Sequence, residues 1–569
     1  MIQYIIKMDK LKAAKIILLM TLGIILSIFI FSLFKNIQYP LLWNDETETA
    51  MYAKRILHYG YPKIHDGKNI VWLSEPPDKS IGIDKRMDSC SALLWGQYYF
   101  AAIGEFFAEM TDDIYFKTAL MRIPFALAGL AGLFIMALSI SGLFGKDALS
   151  ELTFLNIFFL FATLSIPLTL HLREVRHPAL VIFLSACIIH TYFYYRYYAK
   201  IKFAPYFIML ALLLFLLYHV LHIVCFIFFA AIGLYECAAL LKEKDIKLFR
   251  RNIAPLFAAF ILIIPFFLFS QTFALGRAHW ALYHINNMSL WNRHILGFFH
   301  IFQKYEFIYP GLAAKAIFFC IFAHFSNRRV SLGSAVRQKM RVSNFLSFLV
   351  IIYGFIVTFF PNQIIFERYY IALHPIMIII LLLDVFGTFA LLSHASYASI
   401  RRWGKALCAA ILLLTLTING QEIKARVKGH AYELLHQYIG PLDLTIPFIK
   451  SHYKNPENLV IATNYEELAY MYYLGSKTIV GFVGNNLDED LKMRPDIIIF
   501  RKRATYVNPA VFDRFFLRDR YASFFFPVVD YPVNNIPETT YHLYKTLLCD
   551  DEKKCVGISI RSDHINAAS

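Results

Sequence analysis

About eleven runs of apolar residues constrain this chain more than any other feature. They lie at 16–34, 120–143, 152–169, 178–196, 203–218, 219–241, 253–273, 311–326, 344–361, 370–391 and 405–420, each close to the ~20 residues a helix needs to cross a bilayer. Backbone in lipid must satisfy its own hydrogen bonds, so such runs predict a bundle of membrane-spanning α-helices. With 58% hydrophobic and 17% charged residues and a mean hydropathy of +0.51, a chain of 569 residues is too apolar for a soluble protein. The first run follows Lys7, Lys10, Lys12 and Lys15 in the manner of a signal peptide. Its apolar core has full span length and no small-residue cleavage site follows, so it reads as a retained first helix.

A further stretch, Ala92 to Phe107, is apolar but short and interrupted by Gly96, Gln97 and Gly104. Whether it spans sets the sidedness of everything after it. If it does not, Arg196/Lys200/Lys202, Lys242/Lys244/Lys247/Arg250/Arg251, Arg328/Arg329/Arg337/Lys339/Arg341 and Arg401/Arg402/Lys405 share the cytoplasmic side with the basic N-terminus. If it does, all of them face outward, against the positive-inside rule. Residues 92–107 are therefore expected to lie along the outer interface. The net charge of +16 is largely this topology signal, and no aromatic-basic module for nucleic acid is visible.

From about Gln421 to Ser569 the chain turns more polar and, by the same parity, is expected outside the membrane. Leu459 to Thr463, Thr478 to Gly481 and Asp496 to Phe500 read as strands and Tyr465 to Tyr473 as a helix, which predicts a small α/β domain. Residues 1–420 thus form a membrane module and 421–569 a soluble domain. The domain has no glycine-rich phosphate loop. Cys549 and Cys555 bracket the hydrophilic DDEKK, a spacing open to a local disulfide in an oxidising compartment.

Four outward-facing stretches carry most of the unusual polar residues. The first loop, 35–119, opens with WNDETETAMYAKRILHYGYP at Trp43 to Pro62 and continues to Asp84-Lys-Arg-Met-Asp88. The second is His171-Leu-Arg-Glu-Val-Arg-His-Pro178. The third, 274–310, holds Arg277, His279, His284 and the WNRH at Trp291 to His294, and the fourth is Glu367-Arg-Tyr-Tyr370. Each has a bland reading. Asp45 and Glu46 can cap the helix that follows them, the second loop can be solvated charge, Arg368 an interfacial anchor, and most of the histidines structural. Taken together they are complementary. Carboxylates supply a general base and cations supply phosphate contacts, a pairing suited to transfer from a phosphate-linked donor.

In these stretches the sequence resembles the GT-C superfamily of polyprenyl-phosphate-dependent glycosyltransferases, in the branch of the protein O-mannosyltransferases and the lipid A aminoarabinose transferase. Asp45, Glu46, Tyr52, Ala53, Arg55, Gly60 and Pro62 follow that branch's first-loop layout. Arg122-Ile-Pro-Phe-Ala-Leu-Ala-Gly129 resembles its RxPxALxG run, REVRHPAL at 173–180 its second-loop pattern, and Arg368-Tyr-Tyr-Ile-Ala-Leu-His-Pro375 its late RYxxxxxP motif. The resemblance runs over most of residues 1–390. It implies an inverting transfer from a polyprenyl-phosphate sugar at the outer face, to a lipid, glycan or protein acceptor. Asp45 would be the base, Glu46 an orienting acid and Glu174 a second acid, with Arg173, Arg176, Arg368 and Tyr369 near the donor phosphate. Asp45, Glu46 and Glu174 are also the residues that would hold a divalent metal ion, if one is used.

The resemblance has one departure. The family's Pro-Pro-Leu or Lys-Pro-Pro segment is replaced by DKRMDSCSALLWG, with Glu75-Pro-Pro77 upstream, so Lys85 or Arg86 would stand for the usual basic residue. This falls on the acceptor pocket and leaves the acceptor open between lipid A, a protein hydroxyl and a glycan. Two rival readings remain. A transporter or flippase of lipid-linked intermediates would place ionisable residues in mid-membrane, whereas these spans read as nearly free of charge. An O-antigen polymerase or ligase would rely on arginine and histidine without a leading acid pair. The expected setting is a bacterial inner membrane, with the N-terminus cytoplasmic and the C-terminal domain extracytoplasmic.

Overall fold

The structure, a computed structural model, describes residues 2–71, 82–92, 94–144, 147–270, 308–327, 334–359, 367–393, 398–418, 420–437, 439–481, 487–501, 510–530 and 548–567. Each of the eleven apolar runs falls on a helix. Among the described residues, eight helices, from Leu11–Phe34 to Leu373–Ser393, are long and apolar enough to cross a membrane. Two bent pairs, Ala148–Leu164 with Ile166–Leu172 at 80° and Trp403–Ile418 with Gly420–Leu435 at 63°, raise that to ten if each is one span, and Ile308–His324 is a shorter apolar helix. The protein is a multi-pass membrane protein. The stretch expected at the interface is the helix Gly96–Ala108, 13 residues and too short to cross.

One expected span is broken. The run at 152–169 stops at Leu164 and restarts at Ile166, because Pro167 has no N–H for a continuous ladder. The hydroxyl of Ser165 pairs instead with His374 Nδ1 at 2.8 Å. Nor are the spans free of charge. Lys315 Nζ lies 3.2 Å from Asp384 Oδ2, and Asp384 Oδ1 accepts from Ser343 at 2.7 Å. Three helices share that cluster, and pairing is what makes buried charge tolerable there. Close packing of the second span needs its glycines. A Cβ on Gly132 would meet the Phe183 backbone at 2.8 Å, and one on Gly129 would strike the Leu172 side chain.

Outside the spans, the helix Asn44–Tyr59 closes on Gly60 at φ +82°, whose N–H returns to Ile56 O at 2.8 Å. Gly tolerates that left-handed cap best. A short hairpin follows, β1 (Ile83–Asp84) with β2 (Ser89–Cys90). The C-terminal part forms a five-stranded sheet from β3 (Val460–Thr463), β4 (Lys477–Val480), β5 (Ile497–Ile499), β6 (Tyr521–Val529) and β7 (Cys555–Arg561), in the order β4-β3-β5-β7-β6. Strands β4 and β5 flank β3 in parallel, while β7 is antiparallel to β5 and β6 antiparallel to β7. The three strands and the helix (Glu467–Leu474) anticipated here are present. Cys549 and Cys555 are joined as a disulfide.

This sheet domain docks on the first loop through buried polar contacts. The Tyr473 hydroxyl accepts from Leu42 N at 3.0 Å and pairs with Thr118 Oγ1 at 2.6 Å. Asp443 Oδ1 accepts from Leu41 N at 3.2 Å, Asn69 bridges Ser476 O and Thr478 N, and the Tyr472 hydroxyl donates to Glu105. Burial pushes the Glu105 carboxyl up to about 7, partly offset by Lys117. It does the same to Asp443, against the backbone N–H groups of Gly440 and Leu41. A carboxyl raised on folding stabilises the fold fully below its unfolded value, and that contribution is lost as pH rises through its folded value. The melting temperature is therefore expected to fall as pH rises from about 5 towards about 8, and Glu105→Gln with Asp443→Asn to flatten that slope. Thermal unfolding across pH checks it, an unchanged slope counting against the interface.

Candidate active site

The start of the helix Asn44–Tyr59 brings together residues from four segments. Trp43 is extended and buried, and the two acids after it diverge. Glu46 points inward and is fully buried. Its Oε1 accepts from Arg122 Nε at 2.9 Å and from Val175 N at 3.0 Å. Its Oε2 accepts from Arg122 Nη2 at 2.6 Å and from Trp43 N at 3.4 Å. Arg122 Nη1 spends its remaining donors on the carbonyls of Ile37 and Pro40, at 2.9 and 2.8 Å. Glu46 is thus saturated by protein donors, and its place in the structure is that of a positioning residue.

Asp45 turns the other way, towards cations. Its Oδ2 lies 3.0 Å from Arg176 Nη1 and 3.7 Å from Arg368 Nη2. Both guanidiniums also rest on the Trp43 indole, with carbons 5.3 and 5.4 Å from its ring centroid, a contact that fixes planar cations while leaving their edges free to bond. Burial alone would lower the Arg176 guanidinium, but Asp45 and Glu174 outweigh it and hold it firmly charged. One helical turn on, Glu48 receives the Tyr98 hydroxyl at 3.4 Å. Burial, then the Asp45 charge, pushes its carboxyl up to about 7, with Arg176 and Tyr98 opposing.

The remaining expected residues disperse around this cluster. Glu174 Oε2 accepts from His171 Nδ1 at 2.7 Å, both side chains buried. Arg173 lines a separate cleft with Lys35, Glu433 and His436, and no ion pair joins it to Asp45. Lys85 and Arg86 are exposed on the turn between β1 and β2, without an ion pair among the described residues. Tyr369 carries Arg368 5.9 Å from its ring, and its carbonyl accepts from Tyr353 at 2.8 Å. Glu75-Pro-Pro77 and residues 274–307 of the third loop lie outside the described residues. No group of three or more His, Cys, Asp or Glu placed to hold a metal ion occurs among the described residues, Asp45, Glu46 and Glu174 included. Sequence reasoning gave no role to Glu48, Trp43 or Arg122. For Glu48 the signal was there, since a residue three after Asp45 shares its helix face.

No protein-family model matches the chain, and no curated protein matches it by sequence. Solved structures do. ArnT from Cupriavidus metallidurans, in the apo state, superposes with a TM-score of 0.52 over 96% of this chain and 98% of its own, at 11% identity. The same protein bound to undecaprenyl phosphate gives 0.52 over 97% and 98%, also at 11%. An oligosaccharyltransferase from Archaeoglobus fulgidus aligns at a TM-score of 0.45, over 82% of this chain and 64% of its own, at 9% identity. The chain shares the fold of ArnT over nearly its whole length.

The Glu46–Arg122 pair has a measurable consequence. Removing one partner of a buried ion pair typically costs ~3–5 kcal/mol, because the other charge is left uncompensated. Arg122→Met is expected to lower the melting temperature steeply, and adding Glu46→Gln to restore part of it. A double variant no more stable than Arg122→Met would show that the two do not act as a pair.

Proposed function

We propose that this protein is an integral membrane glycosyltransferase that moves a sugar from a polyprenyl-phosphate donor to an acceptor hydroxyl at the extracytoplasmic face. The observation that carries the reading is Asp45, on the helix after the first span, held between Arg176 and Arg368 over one indole. ArnT, which shares this fold, has been solved with undecaprenyl phosphate bound, and a lipid phosphate is the anion that this arginine pair would take.

In this reading the donor phosphate occupies the two guanidiniums, which leave Asp45 to accept the proton of the acceptor hydroxyl. The acceptor oxygen bonds to the anomeric carbon as the bond from that carbon to the phosphate oxygen breaks. Arg176 and Arg368 stabilise the negative charge that passes to the departing polyprenyl phosphate. A single displacement inverts the anomeric configuration. Glu46 keeps the helix start in place and does not touch substrate. Glu174 acts with His171 behind Arg176, and Arg173 lies off this path. The membrane is assigned as a bacterial inner membrane with the N-terminus cytoplasmic. The transporter reading gains one observation, the Lys315–Asp384 pair, but Ser343 and the mutual pairing satisfy it as a tie between helices.

The test uses purified protein in nanodiscs with a panel of polyprenyl-phosphate sugars, following release of polyprenyl phosphate. Asp45→Asn is expected to lose about 10²-fold or more of the rate with its melting temperature kept. Arg176→Gln and Arg368→Gln are expected to raise the donor KM about tenfold each, in line with the ~1.5–3 kcal/mol of a charged hydrogen bond. Undiminished turnover by Asp45→Asn removes it as the base.

A further inference from the structure

Beside Asp45 lies a second group of polar side chains that the proposed bond change does not use. Asn44, Glu48 and Tyr52 recur every four residues and share one face of their helix, with Asp45 at its edge. That face meets the helix Gly96–Ala108. The Tyr98 and Tyr52 rings are 4.7 Å apart, the Tyr98 hydroxyl donates to Glu48, and Gln97 is its neighbour at the start of that helix. Four further polar atoms here are buried without a protein hydrogen-bond partner: Nε1 of Trp43, Oδ1 of Asn44, the Tyr52 hydroxyl and Oε1 of Gln97. Trp43 itself is 1% exposed. Buried polar atoms rarely go unpaired, so four along this face imply a missing partner. One is a donor, two are acceptors and the hydroxyl can be either. A phosphate only accepts and an ammonium only donates, whereas a hydroxyl does both. Asn44 and Glu48 are only half-buried, so the face is reachable.

We propose that Asn44, Glu48, Gln97 and Tyr98, with Trp43 at the margin, form the subsite for a polyhydroxylated acceptor such as a sugar ring, and that Glu48 sets acceptor choice by holding a hydroxyl of it one helical turn from Asp45. This rests on the transferase reading above. Glu48 takes no part in the bond change. The reacting hydroxyl gives its proton to Asp45, and Glu48 holds a neighbouring hydroxyl of the same ring. With burial and the Asp45 charge raising its carboxyl to about 7, it can donate or accept near neutral pH.

The experiment supplies the nanodisc protein and its working donor with octyl glucoside and other alkyl glycosides as hydroxyl acceptors, in competition with water and with octanol. The readout is the ratio of glycoside product to free sugar, which reports acceptor choice whatever the total rate. Wild type is expected to favour the glycosides over octanol. Glu48→Gln and Gln97→Leu are each expected to lower the glycoside ratio about tenfold, the order of one lost hydrogen bond to a polar site, with the octanol ratio unmoved. Unchanged ratios in both variants, equal falls for octanol and glycoside, or no transfer to any glycoside by protein that consumes donor would each overturn the proposal. Failure to release polyprenyl phosphate from any donor would instead overturn the transferase reading, and this subsite with it.

Discussion

The ion pair between Glu46 and Arg122 is the interaction on which the end of this molecule that carries the helix Asn44–Tyr59 depends. Six protein groups meet on it: a carboxylate and a backbone N–H at the start of one helix, a guanidinium from the second span, two carbonyls after the first span and one amide of the second loop. Charges this buried are tolerable only when every lone pair and proton has a partner. The pair therefore does more than attract. It requires that four chain segments arrive together, and it forces Asp45, next in line on the helix, to face away from them towards Arg176 and Arg368.

The C-terminal domain acts on the same helix from the other side. Its helix Glu467–Leu474 offers three tyrosines, and the hydroxyls of Tyr472 and Tyr473 are committed to Glu105, Leu42 and Thr118. Apolar contact alone would let such a domain slide. Directional bonds to a backbone amide and a buried carboxyl fix its register on the membrane module. The acid-bearing helix is thus held between a span that anchors its start and a soluble domain that covers its flank, which is the rigidity a precise hydroxyl–carboxylate geometry asks of its support.

The spans were legible because lipid forces a long, uniform signal on the sequence, and the parallel strands because burial on both faces makes them continuous apolar runs such as Ile497–Ile499. Strand β6 was not, since its tyrosine, serine and phenylalanines lie largely exposed and carry no clear alternation. The site was legible as a location and less so as a set of roles. Adjacent Asp45 and Glu46 look equivalent in sequence, yet about 100° of helical rotation separates them, enough to send one to a saturated ion pair and the other to two arginines. Arg173 and Arg176 are likewise three apart but not on a helix. The chain is α-like at Arg173 and fully extended at Arg176, so they leave the loop in different directions. Lys85 and Arg86 show the remaining limit: a charge on a hairpin turn carries no sign of what it faces.

For the proposed transfer, the contact between Asp45 and the two arginines also bears on the order of events. While those guanidiniums hold the carboxylate, its lone pairs are engaged and an arriving hydroxyl finds a poor proton acceptor. A lipid phosphate would compete for the same donors with more charge and more oxygens, so in the proposed transfer donor binding would be the step that releases the carboxylate. An acceptor that arrives first meets a carboxylate still occupied. The cost of parting Asp45 from Arg176 is met by the phosphate contacts that replace it, an exchange of one charge-assisted bond for another. In the proposed transfer, the geometry that pairs Asp45 with two arginines would therefore make proton abstraction conditional on the donor, and would keep water from being activated when no sugar is there to transfer.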